Sequence, residues 1–503
     1  MTKEKIAIIG AGPGGLAAGM RLSSAGYEVD IYEKNAYIGG RTSLLELGDY
    51  RFDIGPSAIT MPHALTSLFM ECNRNLQDYV TLIPLAPLYQ LFFRNNKTFS
   101  PYHDQDRTIE ELKKHFPDNE ENYLQYMEES AKKSLYLAPL MNYSLSSIID
   151  YVRPAMLRAL PSLSLGRNLN DETSRFFTDP DLRLAFSFQV RNMGMSPYTT
   201  PGIYSIIPFS EFYYGLYHPV GGHNQILKAM AEVLQENGGR IHLNTEVDHF
   251  AFQKNRIQSF TLKNGETISA DHYVINTDFA YTMTELMQEK KSLRTKNLTK
   301  KEFSSSTFMM YIGLDKNYPI AHQSVIFPKN AKKYSDELLS KKILSDDFAV
   351  YVINPSATDT TMAPIGHSAL RLMVPVPNNQ SHIDWEKEKP SFEKKVLELV
   401  KTFLKMDDLE EHIVEKKIIT PKEWEEDFHL YQGAVHGITR SIRQTGIQNP
   451  VYRLNKKFPN LYVVGTNAHP GTTLPYIIES ANFVAKQIHK KNRKPNNLGF
   501  RFF

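Results

Sequence analysis

The sequence predicts an α/β protein whose nucleotide-binding domain is assembled from discontinuous segments. Three observations predict it: a strand, glycine turn and helix at the N-terminus, a second strand ending in an acid, and a strand-glycine-helix unit hundreds of residues later. Lys5-Ile6-Ala7-Ile8-Ile9 is an apolar, β-branched run of the kind that fills a parallel strand buried on both faces. It leads directly into Gly10-Ala11-Gly12-Pro13-Gly14-Gly15, which satisfies G-x-G-x-x-G at Gly10, Gly12 and Gly15. Leu16 to Ala25 reads as a helix rich in small residues, Gly26 stops it, and Tyr27 to Tyr32 reads as a strand ending at Glu33. Strand, turn, helix and acid in that order make the unit Rossmann-type.

Each residue type has a physical task. Gly10 permits the tight turn, Gly12 lets the backbone approach a pyrophosphate, and Gly15 allows close packing of helix on sheet. The helix N-terminus offers amide N–H groups and a partial positive charge to phosphates. Glu33, 18 residues after Gly15, is placed to accept hydrogen bonds from ribose hydroxyls.

At 503 residues the chain is long enough for two or three domains. Its 41% hydrophobic and 22% charged residues describe a folded globular protein, and a net charge of +3 at this size argues against nucleic-acid binding. The single cysteine, Cys72, excludes an internal disulfide and a C-x-x-C redox pair, as suits a reducing cytoplasm. No metal is expected. No uninterrupted apolar run reaches eighteen residues, so membrane contact is expected to be monotopic.

Beyond Gly39-Gly40-Arg41 and Phe52-Asp53-Ile54-Gly55-Pro56-Ser57 the composition changes. From about Met61 to Leu216 helical stretches such as Ile109 to His115 and Glu120 to Leu137 are broken by Pro139, Pro154, Pro161, Pro180 and Pro197. A helix is expected over Asn224 to Glu236. Strand-like segments follow at Arg240 to Asn244, Glu246 to Gln253, Arg256 to Leu262, Thr267 to Ser269 and Tyr273 to Asn276, with Asn264-Gly265 as a hairpin turn. A mixed region covers about Phe279 to Val435. The chain then returns to a strand at Leu461 to Val464, a turn at Gly465 and a helix from about Pro475 to Lys490.

Taken together, Ile8 to Leu16, Tyr32-Glu33-Lys34, Gly39-Gly40-Arg41 and Leu461-Tyr462-Val463-Val464-Gly465 resemble the flavin amine oxidase and phytoene desaturase superfamily. Within it, Phe52 to Ser57, Tyr204 to Pro208, Gly221-Gly222, Met310 to Gly313 and His469-Pro470-Gly471 are most similar to bacterial carotenoid desaturases of C30 substrates. The similarity runs over roughly residues 4 to 490. It implies FAD held by a discontinuous domain of segments 1–60, 220–278 and 436–490. The remaining segments are then a helical substrate and membrane region at 61–219, a mixed-sheet substrate domain at 279–435 and a basic-aromatic tail at 491–503. The cofactor residues implied are Gly12, Pro13, Gly14 and Gly15 at the pyrophosphate, Glu33 at the ribose and Arg41 near the phosphates, with Gly10, Leu16, Lys34 and Gly40 beside them. Gly55, Pro56, Val247 on the adenine side, and Gly465, Gly471, Leu474 and Pro475 around the ribityl chain and flavin ring complete the set. The desaturases commonly show His-Pro-Gly-x-Gly-x-Pro, whereas Thr473 occupies the second glycine position here. A threonine does not reproduce a glycine's positive-φ freedom cheaply, so the flavin-edge backbone is expected to differ or the substrate end to be retuned.

The resemblance implies desaturation of a C30 or C40 polyene such as diapophytoene by hydride transfer to flavin N5 with loss of a neighbouring proton. The base is unassigned, with His436 and His469 as candidates, each also readable as structural. The reduced flavin is expected to pass its electrons to a quinone or O2, because no second G-x-G-x-x-G marks an NADPH domain. Two alternatives stay open: oxidation of a carotenoid terminal methyl or aldehyde on the same fold, and a non-catalytic isoprenoid-binding scaffold. An insoluble substrate implies membrane access, expected at the inner face of the cell membrane. Ser144 to Leu169, apolar with Arg153, Arg158 and Arg167 interspersed, reads as an interfacial segment or as an amphipathic core helix. Ile203 to Tyr217 has an aromatic density suited to a polyene channel, an interface or a core. Lys490, Lys491, Arg493 and Lys494 with Phe500, Arg501, Phe502 and Phe503 suit an anionic leaflet or a solvated tail.

Overall fold

The structure, a computed structural model, describes residues 3–139, 148–287, 298, 300–441 and 444–492. The basic-aromatic tail beyond Asn492 lies outside these residues, as does the start of the 144–169 stretch.

A five-stranded sheet lies at the base of the molecule in the order Leu461–Val463, His272–Ile275, Lys5–Ile9, Glu28–Tyr32 and Arg240–His242, every neighbouring pair parallel. The central strand is buried on both faces, which is why its sequence is continuously apolar. Ile6 and Ile8 pack with the helices Pro13–Ser24, Asn224–Glu236 and Leu474–Asn492. Ala7 and Ile9 turn to the other face, against the antiparallel meander Val247–Gln253, Arg256–Leu262 and Thr267–Ile268. The Asn264-Gly265 turn joins the last two of these strands, with Gly265 at φ +89°.

A second, seven-stranded sheet runs in the order Ile413–Ile419, Ser306–Leu314, Ser368–Val376, Val350–Ile353, Gln323–Ile326, Gln90–Phe92 and Thr98–Phe99. Its two faces are separated by the two-residue period of the strand. Phe308, Met310, Ile312, Leu370, Leu372, Val374, Val350 and Val352 pack on the helix Trp385–Leu404 through Trp385, Phe392, Val396 and Val400. The alternate residues Thr307, Met309, Arg371, Met373, Tyr351, Ile353 and Gln323 face a cavity between the two sheets.

The stretch 61–219 carries the helices His63–Glu71, Gln105–His115, Glu120–Leu137 and Ile206–Tyr214, and it also sends the two short strands Gln90–Phe92 and Thr98–Phe99 into the seven-stranded sheet. Strands of two or three residues leave no periodicity to read. Asp104 starts the helix Gln105–His115 four residues earlier than the apolar pattern suggested, accepting from the Arg107 amide at 2.9 Å. This region is held together by an aromatic cluster centred on Phe186, whose ring stacks on Phe177 at 4.6 Å and Phe212 at 4.8 Å and meets Tyr126 at 5.0 Å, while Phe188 reaches the sheet side through Phe327 at 5.5 Å and Tyr351 at 6.3 Å.

Residues 148–169 are not one helix. Short helices Ile148–Tyr151 and Pro154–Ala159 and a 3-10 turn Leu160–Leu163 break at Pro154 and Pro161, because a proline ring removes a donor and clashes with the preceding turn. Ile149, Val152, Leu157, Leu160 and Leu165 are exposed there, while Met156 and Ala159 are buried. The aromatic stretch 203–217 instead turns mostly inward: Phe209 and Phe212 are core residues, and Tyr213 alone of its large side chains is strongly exposed.

Phe186→Ala should destabilise the protein by ~3–5 kcal/mol, as a large cavity opens in a cluster that cannot collapse around it. Thermal and urea unfolding of the flavin-loaded protein will measure this; a loss below ~1 kcal/mol would show that the cluster does not hold this region together.

Candidate cofactor and substrate site

The site begins where the central strand ends. Gly10 sits at φ +97° and donates its amide to Tyr32 O at 2.8 Å, so the chain turns sharply between two parallel strands. A Cβ on Gly15 would lie 2.2 Å from Gly10 O, and only glycine lets the first helical turn fold back over the strand end. The helix starts with Pro13, whose missing N–H is one that a helix N-terminus cannot use, and Gly12 and Pro13 at its start line the cavity. Gly12 and Gly14 are closed from below by Asn276: a Cβ on either would come within 2.5 Å of its amide atoms.

Glu33 follows the second strand. Its Oε2 accepts from the Ala11 amide at 2.8 Å and its Oε1 from the Asn35 amide at 3.0 Å, which fixes the carboxylate at the cavity edge. Val247 lines the same end, and Lys34 reaches across to Asp427 O. Arg41 crosses the cavity, donating to Val435 O and, at 2.9 Å, to Thr466 Oγ1. Burial lowers its pKa, partly offset by Asp278, while burial raises the carboxyl of Asp278. Gly55 is needed for a different reason: a Cβ there would meet Arg41 O at 2.3 Å.

The far wall is the late unit. Gly465, at φ +100°, donates its amide to Ser480 Oγ at 3.1 Å and lines the cavity with Leu474 and Pro475. Arg440 donates to Ala468 O at 2.8 Å and to Thr466 O, bracing this turn. Thr473 is not among the residues at positive φ, and its carbonyl accepts from the Ile477 amide at 2.9 Å as the helix begins. The expected penalty for a threonine at a glycine position is therefore absent: the backbone is ordinary there and needs no left-handed freedom.

Of the sequence-selected residues, Gly10, Gly12, Pro13, Glu33, Lys34, Gly40, Arg41, Gly55, Pro56, Val247, Gly465, Leu474 and Pro475 line one cavity. Gly14, Gly15, Leu16 and Gly471 stand behind it. Leu16 is fully buried in the core, and Gly471 packs so closely that a Cβ would lie 2.4 Å from Gly465 O. His436 lines the cavity, its amide donating to Ser304 Oγ at 3.0 Å, whereas the His469 ring packs near Phe483 at 5.9 Å and does not line it.

Sequence reasoning missed Asn276, Asp278, Arg371 and Glu211, all cavity-lining. Asn276-Thr277-Asp278 directly follows a strand at the carboxyl edge of a parallel sheet, the position where such sheets bind ligands, and that placement was the available signal. A buried polar cluster supports the 53–57 stretch. The His218 ring bonds to Ser57 O and to Asp359 Oδ2, both at 3.0 Å. Burial pushes Asp359 up, but hydrogen bonds from His218, Thr361 and the Gly221 amide outweigh it and hold the carboxyl well below the usual range. Asp53, more deeply desolvated, is instead pushed up to about 6.

These features fit an extended adenine dinucleotide: a glycine cradle with no room for side chains, a fixed acid at one end and a second helix N-terminus at the other. The rest of the cavity is walled mainly by Met309, Met373, Ile353, Ile207, Met193 and Leu216, with Glu211, Gln323, Tyr351 and Arg371 as polar members, and has room for something other than the nucleotide. Gly15→Val should abolish flavin retention while leaving the far-ultraviolet circular dichroism close to that of the wild type. Absorbance of the purified protein near the flavin maximum will test this, and an equally yellow variant would refute the cradle.

Comparison with known proteins agrees with this geometry. The profile of the flavin containing amine oxidoreductases matches residues 13–489. The chain is 38% identical over 492 residues to a 4,4'-diapophytoene desaturase (4,4'-diapolycopene-forming) of Methylomonas sp, covering 97% of this chain and 96% of that protein. It is 28% identical over 496 residues to a 4,4'-diapolycopene oxygenase of Methylomonas sp, covering 96% and 98%. Among solved structures, an oxidoreductase from Methanosarcina mazei shares the fold with a TM-score of 0.63 at 18% identity, over 96% of this chain and 100% of that one. With a glycine cradle, a fixed acid after the second strand and a matching profile over nearly its whole length, the chain belongs to the flavin containing amine oxidoreductase family and is an FAD-dependent oxidoreductase.

Proposed function

We propose that this enzyme is a carotenoid desaturase that introduces conjugated double bonds into a C30 polyene of the diapophytoene type. The observation that carries this reading is the continuity of the dinucleotide cradle with an apolar chamber walled by one face of the seven-stranded sheet, in a chain 38% identical to a diapophytoene desaturase. Bound FAD supplies the hydride acceptor. The protein's own part is to hold it and to align the chain. In this reading Glu33 takes the ribose hydroxyls, the first-turn amides after Gly12 take the pyrophosphate, and Val247 flanks the adenine. Gly465, Leu474 and Pro475 would border the flavin ring, whose negative charge the N-terminus of the helix Leu474–Asn492 would stabilise. Met309, Met373, Ile353 and Leu216 keep water out and hold an unfunctionalised chain straight by shape alone. Segments 1–60, 220–278 and 436–490 then act as the FAD domain, and the two others shape the chamber.

Delivery of an insoluble chain requires contact with a bilayer. Among the described residues no helix is long and apolar enough to cross a membrane. Ile149, Val152, Leu157, Leu160 and Leu165 form an exposed apolar surface flanked by Arg153, Arg158 and Arg167, the composition of a monotopic contact with an anionic leaflet at the inner face of the cell membrane. Quinone or O2 would serve as the electron acceptor.

Expression in a host that makes a colourless C30 precursor should yield pigment whose mass falls by two hydrogens per step. A gain of oxygen would replace this reading with terminal oxidation, and a purified protein devoid of flavin would replace it with a binding scaffold. Val152→Glu with Leu157→Glu should lower sedimentation with anionic liposomes at least several-fold without loss of flavin; unchanged sedimentation would remove this surface as the anchor.

A further inference from the structure

The helix Ile206–Tyr214, IIPFSEFYY, carries one acid, Glu211. Residues 207 to 210 are buried, whereas Glu211 keeps accessible surface, and it lines the cavity one helical turn from Ile207, which lines it too. Its hydrogen bond comes from the Tyr89 hydroxyl to Oε2. The helix touches the cofactor side of the chamber as well: Thr60, which lines the cavity, donates to Ser210 O at 3.1 Å.

Three other carboxylates line the cavity, and each belongs to its nucleotide end. Glu33 is held by two backbone amides, Asp278 accepts the Tyr281 amide at 2.9 Å, and Glu246 adjoins Val247. Glu211 alone faces the apolar chamber. No charged neighbour offsets its burial, which pushes the carboxyl up to about 8. The titratable groups facing it are Tyr89 and Tyr351. Those on the packed elements are committed elsewhere: Arg191 to Ala331 O at 2.8 Å and Ser335 Oγ at 2.9 Å, Lys133 to Glu172 at 2.9 Å, and Tyr126 to Ser205 O at 3.4 Å. Tyr123, Tyr204 and Tyr476 also surround this helix, as do two histidines near its C-terminal end: His103, whose Nδ1 meets Phe212 O at 3.1 Å, and His63, whose ring lies 4.9 Å from that of Tyr214.

We propose that Glu211 is the proton acceptor of the desaturation, a catalytic residue whose carboxylate the Tyr89 hydroxyl holds in place. The inference rests on the desaturase reading above. One C–H bond breaks with its electron pair leaving as hydride to the bound flavin, which is the oxidant. The adjacent C–H bond breaks with its electron pair forming the new π bond and its proton passing to Glu211. Two hydrogens leave per double bond, and the carboxyl releases its proton before the next turnover. In a low-dielectric chamber a carboxylate is both a stronger base than in water and a stabiliser of positive charge developing on the polyene. A desolvated carboxyl matched to a pH near neutrality is the form general-base catalysis favours.

The test uses the full chain loaded with FAD, with the wild type compared to Glu211→Gln, Glu211→Asp and Tyr89→Phe. Infrared spectroscopy should find a neutral carboxylic C=O band in the wild type at pH 7 that titrates away near pH 8 and is absent from Glu211→Gln. Desaturation of the C30 hydrocarbon should rise with pH through about 8 in the wild type. In Glu211→Gln it should fall roughly 100-fold or more and lose that pH dependence, with flavin absorbance unchanged. Glu211→Asp should keep the pH dependence at a reduced rate, and Tyr89→Phe should move the midpoint upward because the carboxylate loses its donor. A Glu211→Gln variant within three-fold of the wild type and with the same pH profile overturns the proposal alone, as does a Glu211 already ionised at pH 6. A flavin-loaded wild type that dehydrogenates nothing overturns the desaturase reading and this assignment together.

Discussion

Much of this structure depends on the parallel register between Lys5–Ile9 and His272–Ile275. Because Ile9 stands opposite Ile275, the amide of Asn276 reaches Ile9 O at 2.8 Å, and its side chain closes the space beneath Gly12 and Gly14. The cradle is therefore not a property of the N-terminal motif alone. A residue from the far side of the chain supplies its base, and the absence of Cβ atoms on the loop is matched to that residue. Closing so long a loop carries an entropic penalty that grows only slowly with length, so large insertions between the two strands are tolerable once the strand pairing repays it.

Those insertions make the chamber. The strands Ser306–Leu314, Val350–Ile353 and Ser368–Val376 give one face to the helix Trp385–Leu404 and the other to the cavity. The first face is apolar except for the small buried serines Ser306, Ser324 and Ser368. The second mixes Met309, Met373 and Ile353 with Arg371, Tyr351 and Gln323, and its polar members carry a desolvation penalty that a purely structural wall has no reason to bear. Arg371 repays part of this by donating to Asp53 O at 3.0 Å, which ties the sheet to the 53–57 stretch bordering the cofactor. Cofactor and chamber are thus braced against each other by side chains rather than joined through one continuous element.

The parallel sheet was legible in the sequence because a strand buried on both faces, a glycine turn and an acid in register each leave a local trace. The helices Glu120–Leu137 and Asn224–Glu236 were legible to the residue from their apolar period and stop signals. The break-up of residues 148–169 was announced by Pro154 and Pro161, yet a long apolar stretch with interspersed arginines still read as one amphipathic segment. Glu211 was illegible for the opposite reason: one acid in an aromatic helix carries no pattern, and its environment is made by Tyr89 and Tyr351, far away in the chain. Val247 and Arg41 could be named only through family resemblance, since a strand valine and a turn arginine have no signature of their own.

The wall formed by Gly465, Leu474 and Pro475 has a consequence for biogenesis. Ribosomes release this unit long after the glycine loop, so a growing chain cannot enclose its flavin while most of it is being made. Until then the chamber has neither its cofactor nor its last wall, and His272–Ile275, in the five-stranded parallel sheet, lacks the partner that Leu461–Val463 provides. An unpaired edge and an unfilled chamber both favour aggregation of the nascent protein during this interval, and flavin binding stabilises the native state once the last wall is in place.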